Sequence, residues 1–257
     1  MDKSKSSAHP ASSQASADAG PYTLSVDIGG TKVKACVLDV TGRTLSSPEI
    51  APTPRPSPPD AVMATVQELV GRLPGFDRIS IGFPGVVRGP LVVTAPNLGT
   101  AQWVGFDIVA ALSHRYNVPV RVLNDAAVQG LGVVRGPGLE TVITLGTGIG
   151  CCVFRDRRWL LHLELALDSF AGNAVLTELG AKAWNERVAE TIAVVSRLTA
   201  CERLYVGGGN ARKVALRLPA HVEIVDNIAG LTGGIRLWEA QFDELMRPST
   251  PPTVQKV

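Results

Sequence analysis

Five residues with phosphate-binding chemistry lie within one short stretch of the chain: Asp27, Gly29, Gly30, Thr31 and Lys32. A glycine has no Cβ, so the backbone N–H groups around it can approach an anion closely. The threonine offers a hydroxyl, the lysine a positive charge, and the aspartate a carboxylate that orients hydrated Mg²⁺. This combination indicates a phosphate-binding turn; the alternative is a plain hairpin turn beside a buried aspartate.

A second glycine-rich turn, LGTGIG, spans residues 145–150 and follows a predicted buried strand. Its three alternating glycines are more than a turn requires. The stretch is not a Walker A loop, because no Gly-Lys-Ser/Thr follows, and it lies between two strands instead of opening a helix as a dinucleotide-binding fingerprint does. We therefore expect this turn to hold another part of the same phosphate chain.

Asn124 and Asp125 end a predicted strand that lies between the two glycine turns in the sequence. A carboxylate at the end of a buried strand, facing a cleft, is suited to accept the proton of a hydroxyl group. The alternative is a cap for the helix predicted over residues 126–131, a position that aspartate favours. Both roles are open for these two neighbours.

Three consecutive glycines, Gly207, Gly208 and Gly209, follow another predicted strand and precede a helical stretch after Asn210. Glycines there let a flat ring lie against the backbone, which suits a nucleotide base or ribose. The alternative is an ordinary connection between a strand and a helix.

The composition is that of a globular protein and argues against several classes. Of 257 residues, 45% are hydrophobic, and 25 Lys and Arg oppose 23 Asp and Glu, for a net charge of +2. Nucleic acid is therefore not expected as a partner, because phosphate-backbone binding needs clustered positive charge. No apolar run approaches the ~20 residues of a membrane span, and the N-terminus lacks a signal-type apolar region. We expect a cytoplasmic protein with no membrane partner, whose four cysteines stay reduced.

Residues 1–20 and 247–257 are poor in large aliphatic residues, so we expect them to be disordered tails. Residues 51–59 are Pro-rich and predict an exposed loop, followed by a helix that Asp60 caps.

The strand–turn–strand pattern around residue 30 repeats around residue 147, which predicts two similar halves facing a cleft. The other predicted elements are strands over 22–27, 34–40, 79–83, 120–123, 142–145, 150–154, 204–206 and 222–225, and helices over 108–116 after an Asp107 cap, 175–198 with a break near Gly180, and 228–240.

The motifs DIGGTK, FPGV, the Asn-Asp pair, LGTGIG and VGGGN, in this order, resemble those of ROK-family sugar kinases in the actin-like/hexokinase ATPase superfamily. The resemblance covers roughly residues 22–238, and the stretches TPRPSPPDAV, TAPNLGTAQWVGFDI and LNDAAVQGLG are most similar to the polyphosphate/ATP glucokinase branch. It implies an α/β fold of two actin-like (ribonuclease H-like) lobes, with mixed sheets flanked by helices and a cleft between them. We place the lobes at 21–124 and 125–246, with helix 228–240 as a candidate to return to the N-terminal lobe.

The resemblance implies phosphoryl transfer from ATP or polyphosphate to a hexose hydroxyl, with glucose 6-phosphate as the first-choice product, Mg²⁺ as the cofactor and a homodimer as the assembly. By the same resemblance Asp125 takes the proton of the sugar 6-hydroxyl, and the sugar hydroxyls are held by Asn97, Asn124 and Glu164. The phosphates are assigned to Asp27 (which reaches Mg²⁺ through water), Gly29, Gly30, Thr31, Lys32, Thr147 and Gly148, and the adenosine to Gly207, Gly208 and Gly209.

The chain departs from the family pattern just after Glu164. The family carries Gly-His there, whereas Leu167 stands at the histidine position, and the cysteine-rich zinc segment is missing, so no structural zinc is expected. A catalytically weakened sugar- or nucleotide-binding protein is therefore a second hypothesis. DNA-binding repression, a third, needs a helix-turn-helix module, for which the twenty residues before the first strand leave no room.

Two basic clusters have two interpretations. Residues 155–158 read Arg-Asp-Arg-Arg, and Arg212 is followed by Lys213. Short charge clusters are usually solvated surface, which we favour, and the alternative is a track for polyphosphate.

Overall fold

The structure, a computed structural model, describes residues 20–163 and 171–246. The predicted tails lie outside the described residues, apart from Gly20. Glu164 and Leu167, where the sequence departs from the family pattern, lie outside them as well. The described chain forms two five-stranded sheets with helices packed against them. Because each sheet combines parallel and antiparallel pairs, the predicted α/β class with mixed sheets is confirmed.

The first sheet consists of β1 (Thr23–Ile28), β2 (Lys32–Leu38), β3 (Glu49–Pro52), β4 (Arg78–Phe83) and β7 (Val120–Asn124). Its strand order is β3-β2-β1-β4-β7, antiparallel from β3 to β1 and parallel from β1 to β7. The apolar residues of β1 and β4 are buried, as expected for strands covered on both faces. A short hairpin of β5 (Val87–Arg88) and β6 (Leu91–Val92) follows β4.

The second sheet consists of β8 (Leu139–Leu145), β9 (Ile149–Arg155), β10 (Arg158–Leu163), β11 (Arg203–Gly207) and β12 (Val222–Ile224). Its order is β10-β9-β8-β11-β12, again antiparallel on one side and parallel on the other. The two sheets therefore share one topology, and the strand–turn–strand repeat in the sequence corresponds to their equivalent first hairpins.

The helices pack against the sheets in apolar cores. α1 (Pro59–Val70) and α3 (Ile108–Tyr116) pack on the first sheet, and α5 (Asn173–Thr199) packs on the second. α4 (Asp125–Leu131) contributes its apolar side chains to a core shared with β8 and β9. The predicted break in α5 is confirmed at Gly180, whose φ of 77° is not helical. The helices are α1 (Pro59–Val70), α2 (Thr100–Trp103), α3 (Ile108–Tyr116), α4 (Asp125–Leu131), α5 (Asn173–Thr199) and α6 (Ala229–Thr232).

The prediction of an exposed loop over residues 51–59 is wrong in part. β3 extends to Pro52, and the side chains of Thr53 and Ser57 are buried. A proline is tolerated at this place because β3 is an edge strand, where a missing N–H breaks no ladder bond. α1 then begins at Pro59 after Pro58, so Asp60 lies in its first turn and is not its cap.

The predicted helix over 228–240 is also wrong in length. Only α6 is α-helical, and residues Gly233–Trp238 form a 3₁₀ turn. A Cβ at Gly233 would lie 1.9 Å from the carbonyl oxygen of Val128, so the chain packs backbone to backbone against α4 here. The side chains of Ser25 and Ser80 donate to the carbonyls of Leu231 and Gly234, both at 2.7 Å, which ties this segment to the first sheet.

Candidate active site

A cavity of about 570 Å³ opens where the glycine turns of the two sheets face each other. Twelve of the fourteen predicted site residues line it. Of the other two, Gly207 is buried behind the side chain of Gln129, and Glu164 lies outside the described residues. The lining members are Asp27, Gly29, Gly30, Thr31, Lys32, Asn97, Asn124, Asp125, Thr147, Gly148, Gly208 and Gly209.

The two glycine turns touch each other across the cavity. The hydroxyl groups of Thr31 and Thr147 are hydrogen bonded, with an Oγ1–Oγ1 distance of 3.0 Å. A Cβ built on Gly30 would lie 2.9 Å from the Cβ of Asn97 and 3.0 Å from Oγ1 of Thr147. Gly30 is therefore the point where the first turn meets both the second turn and the Asn97 loop, and only a residue without a side chain fits there unstrained.

Lys34 is a lining residue that the sequence analysis missed. Its ammonium Nζ lies 2.7 Å from Oδ2 of Asp27, and both side chains are largely buried, at 17% and 13% exposed. The two residues are directly opposite each other in the β1–β2 ladder, so the hairpin register carries the signal that could have found the pair.

The carboxylates lining the cavity are Asp27 and Asp125. A single carboxylate with water molecules suits Mg²⁺, which keeps several waters and binds few protein ligands. Oδ2 of Asp27 is bonded to Lys34, and Gly230 approaches the same oxygen closely, since a Cβ there would lie 3.3 Å from it. A carboxylate that lines the cavity in this way is compatible with a hydrated Mg²⁺ reached through water.

Asn124 caps helix α4. Its Oδ1 accepts the backbone N–H groups of Ala126 at 3.0 Å and Ala127 at 3.2 Å, while its Nδ2 donates to the carbonyl of Gly85 at 3.2 Å. Of the two roles left open for the Asn-Asp pair, capping thus belongs to Asn124. Asp125 is the first residue of α4, where the helix dipole favours a negative charge, and its Oδ1 accepts the Ala126 N–H at 2.8 Å.

We expect Asn124→Ala to lower the free energy of unfolding by about 1–2 kcal/mol, because the cap and the bond to Gly85 are both lost. Urea unfolding measures this effect. Asp107→Ala is the matched control: Asp107 caps α3, outside the cavity, by accepting the Ala110 N–H at 2.7 Å. We expect the two variants to lose similar stability and only Asn124→Ala to lose sugar affinity. Equal sugar affinity in both would remove Asn124 from the sugar site.

The third glycine stretch packs behind the second turn. Gly208 has a φ of 88°, and a Cβ there would lie 2.5 Å from the carbonyl oxygen of Leu145. Asn210 continues this contact, since its N–H donates to the same carbonyl at 2.9 Å and its Nδ2 donates to Oδ1 of Asn173 at 3.3 Å. Gln129, Asn173 and Asn227 are polar lining residues that the sequence analysis missed. Asn210 of the VGGGN motif and Lys213 of the second basic cluster also line the cavity.

The two basic clusters lie in different places. Residues 155–158 connect β9 to β10 at the end of β9 away from the glycine turn, about 20 Å from it at the usual rise per residue. Arg212 is paired with Asp226 at 2.7 Å. The Ile228 N–H and then this Arg212 pair hold the pKa of Asp226 below its usual value. Only Lys213 of these basic residues lines the cavity. This placement favours solvated surface for 155–158.

All four cysteines are free thiols. Burial raises the pKa of Cys36 and of Cys151 to about 12, so both stay protonated at neutral pH. Cys36, Cys151 and Cys152 are buried, whereas Cys201 is partly exposed. Within residues 20–163 and 171–246, no helix is long and apolar enough to cross a bilayer.

Comparison with known proteins agrees with this geometry. The model of the ROK family matches residues 23–161. Among curated relatives, a polyphosphate glucokinase of Mycobacterium leprae is 27% identical over 233 residues, covering 81% of this chain and 72% of its own length.

Two solved structures share the fold. The inorganic polyphosphate/ATP-glucomannokinase of Arthrobacter sp. strain KM superposes with a TM-score of 0.76 at 28% identity, covering 84% of this chain and 98% of its own. A ROK-family glucokinase of Streptomyces griseus, solved in complex with glucose and AMPPNP, gives 0.69 at 20% identity, with 84% and 98% covered. The resemblance and the two-lobe fold predicted from the motifs are both confirmed.

Proposed function

Because the chain belongs to the ROK family, we propose that it is a sugar kinase that transfers a phosphoryl group from ATP or polyphosphate to a hexose hydroxyl. Glucose, with glucose 6-phosphate as the product, is the first choice, since the similar proteins are named glucokinases and a glucomannokinase. The observation that carries the proposal is the meeting of both glycine turns and Asp125 in one cavity.

Phosphoryl transfer needs positioning and charge neutralisation more than covalent chemistry. The backbone amides around Gly30 and Gly148 bind the donor phosphates, while Gly29, whose N–H donates to the carbonyl of Lys32 at 2.9 Å, closes the turn beneath them. The hydroxyls of Thr31 and Thr147 join the two turns. Lys32, Lys34 and Lys213 line the same cavity and supply positive charge. Gly208 and Gly209 leave a flat surface for the adenosine when the donor is ATP.

Asp125 accepts the proton of the attacking sugar hydroxyl. Its place at the start of α4, where it lines the cavity, suits that role. Asn97 and Asn124 orient the sugar, with Glu164 proposed as a third contact. The Asn124 side chain has one N–H left for a sugar oxygen, since its carbonyl oxygen is committed to the helix cap.

Mg²⁺, when bound with the donor, neutralises charge on the transferring phosphates. Asp27, which is oriented by Lys34, would hold the ion through water.

Three further features belong to this proposal. We place the boundary between the lobes at Asn124 and Asp125, where β7 ends and α4 begins. The hydrogen bonds from Ser25 and Ser80 support a return of the last segment to the N-terminal lobe. The proposal also includes that the protein is a homodimer and that it is located in the cytoplasm.

A coupled assay for glucose 6-phosphate tests the proposal. Purified protein is incubated with Mg²⁺, a panel of hexoses, and either ATP or polyphosphate. We expect turnover with at least one donor, and glucose among the accepted sugars. Binding of glucose in calorimetry without turnover with any donor would instead support the catalytically weakened binding protein.

A further inference from the structure

Residues 53–57, called here the connector segment, lie behind the first glycine turn and have no part in the mechanism above. The N–H of Thr53 donates to the carbonyl of Thr31 at 2.9 Å, and its Oγ1 donates to the carbonyl of Gly29 at 2.6 Å. The carbonyl of Ser57 accepts the indole N–H of Trp103 at 2.8 Å. The segment therefore contacts both the turn assigned to the donor and helix α2, which follows Asn97 in the chain.

Arg55 joins the donor turn directly to the backbone at Asn97. One guanidinium nitrogen, Nη2, donates to the carbonyl of Gly30, and the other, Nη1, donates to the carbonyl of Asn97 at 3.3 Å. Gly30 belongs to the donor turn, and Asn97 is a proposed sugar contact. The side chain is exposed, so these two bonds and not packing in a core account for its position.

The contacts of the connector segment fix the direction of the amides in the donor turn. A trans peptide group is planar, so its N–H points opposite to its C=O. When Thr53 and Arg55 hold the carbonyls of Gly29 and Gly30, the N–H groups of Gly30 and Thr31 point away from the segment. Donation from a charged guanidinium to the Gly30 carbonyl also polarises the peptide group that joins Gly30 to Thr31. The N–H of Thr31, which belongs to this peptide group, becomes a stronger donor.

We propose that Arg55 is a positioning residue that couples donor binding to sugar binding, an inference that rests on the proposed sugar kinase function. A donor phosphate on the first turn fixes the orientation of the Gly30 peptide. Because the guanidinium is bonded to both carbonyls, it then restricts the backbone at Asn97 as well. The second ligand then meets a loop that is already ordered, so it binds more tightly. By linkage the effect is reciprocal: glucose tightens donor binding by the same factor.

Calorimetry of glucose binding tests the coupling. The dissociation constant is measured alone, with AMPPNP, and in a second arm with inorganic tripolyphosphate, for the wild type, Arg55→Met and Arg55→Lys. Arg72→Met is the control, because Arg72 is an exposed arginine that pairs with Glu49 and Glu68 outside the cavity.

We expect one of the two donors to tighten glucose binding about fivefold or more in the wild type and in Arg72→Met. Arg55→Met should reduce that factor to near one while the thermal unfolding midpoint stays unchanged. Arg55→Lys should give a factor between those of the wild type and Arg55→Met, because lysine keeps the charge but cannot bond both carbonyls as a guanidinium does. A factor that survives in Arg55→Met, or that is already absent in the wild type, overturns the coupling alone. A wild type that binds neither glucose nor donor overturns the proposed function together with it.

Discussion

Replacing Asp125 with asparagine is expected to lower kcat by about 10³-fold, within the range of a lost general base. Asparagine keeps the size of the side chain and still accepts the Ala126 N–H, so α4 should start at the same residue. The sugar dissociation constant should change far less than kcat, since the proton is accepted only as the hydroxyl attacks. Steady-state kinetics together with calorimetry of glucose binding separate the two effects.

Asp60→Asn is the matched control for this prediction. Asp60 is an exposed carboxylate in the first turn of α1, and it is not among the residues that line the cavity. It experiences the same kind of helix-terminus field as Asp125, so its replacement reports any general effect of removing such a charge. We expect kcat to stay within about twofold of the wild type. An equal loss in both variants would show that helix stability, and not proton transfer, is responsible.

Replacing Gly30 with alanine is the second large effect. The added Cβ would lie 2.9 Å from the Cβ of Asn97 and 3.0 Å from Oγ1 of Thr147, so the donor turn must move away from both. Overpacking of this kind costs about 1–3 kcal/mol, which corresponds to roughly 5- to 150-fold in kcat/KM. We expect the KM values of donor and sugar to rise together, because one methyl group displaces contacts on both sides.

Gly75→Ala is the control, because a Cβ at Gly75 meets no atom within 4 Å. Its kinetics should match the wild type, and its stability should be equal or slightly higher, since alanine restricts the unfolded chain more than glycine does. If Gly30→Ala is as active as Gly75→Ala, the first turn does not meet its neighbours as closely as the structure has it.

Much of the fold could be predicted because local signals agree with tertiary structure in most elements. Asp107 caps α3 as its residue type indicates, and the break in α5 lies at Gly180. The errors are in places where tertiary contacts decide. β3 is an edge strand whose last two residues fall inside the stretch predicted as a Pro-rich loop, and β10 is an edge strand that the sequence analysis did not predict. Edge strands are hard to predict because pairing with a neighbour decides them. The helix predicted over 228–240 is α-helical only over Ala229–Thr232, and after it Gly233 packs on α4 and Gly234 on the first sheet.

The candidate site shows the same division. Motif residues could be found in sequence because glycines, hydroxyls and carboxylates at turn positions have few other uses in such combination. Lys34 is recognisable only once the β1–β2 register is known. Arg55 lies in the TPRPSPPDAV stretch that carries part of the resemblance, but its contacts could not be predicted, since its partners are backbone carbonyls that any residue presents.

The central claim is that one cavity brings a phosphoryl donor and a hexose to Asp125. The most direct test follows the phosphorus atom by ³¹P NMR, with ¹³C-labelled glucose, Mg²⁺, and either ATP or polyphosphate. We predict a new phosphate ester on the 6-carbon of glucose that forms with the wild type and is lost in Asp125→Ala. No ester on any hexose with either donor, or an ester that forms equally fast in Asp125→Ala, would contradict the account.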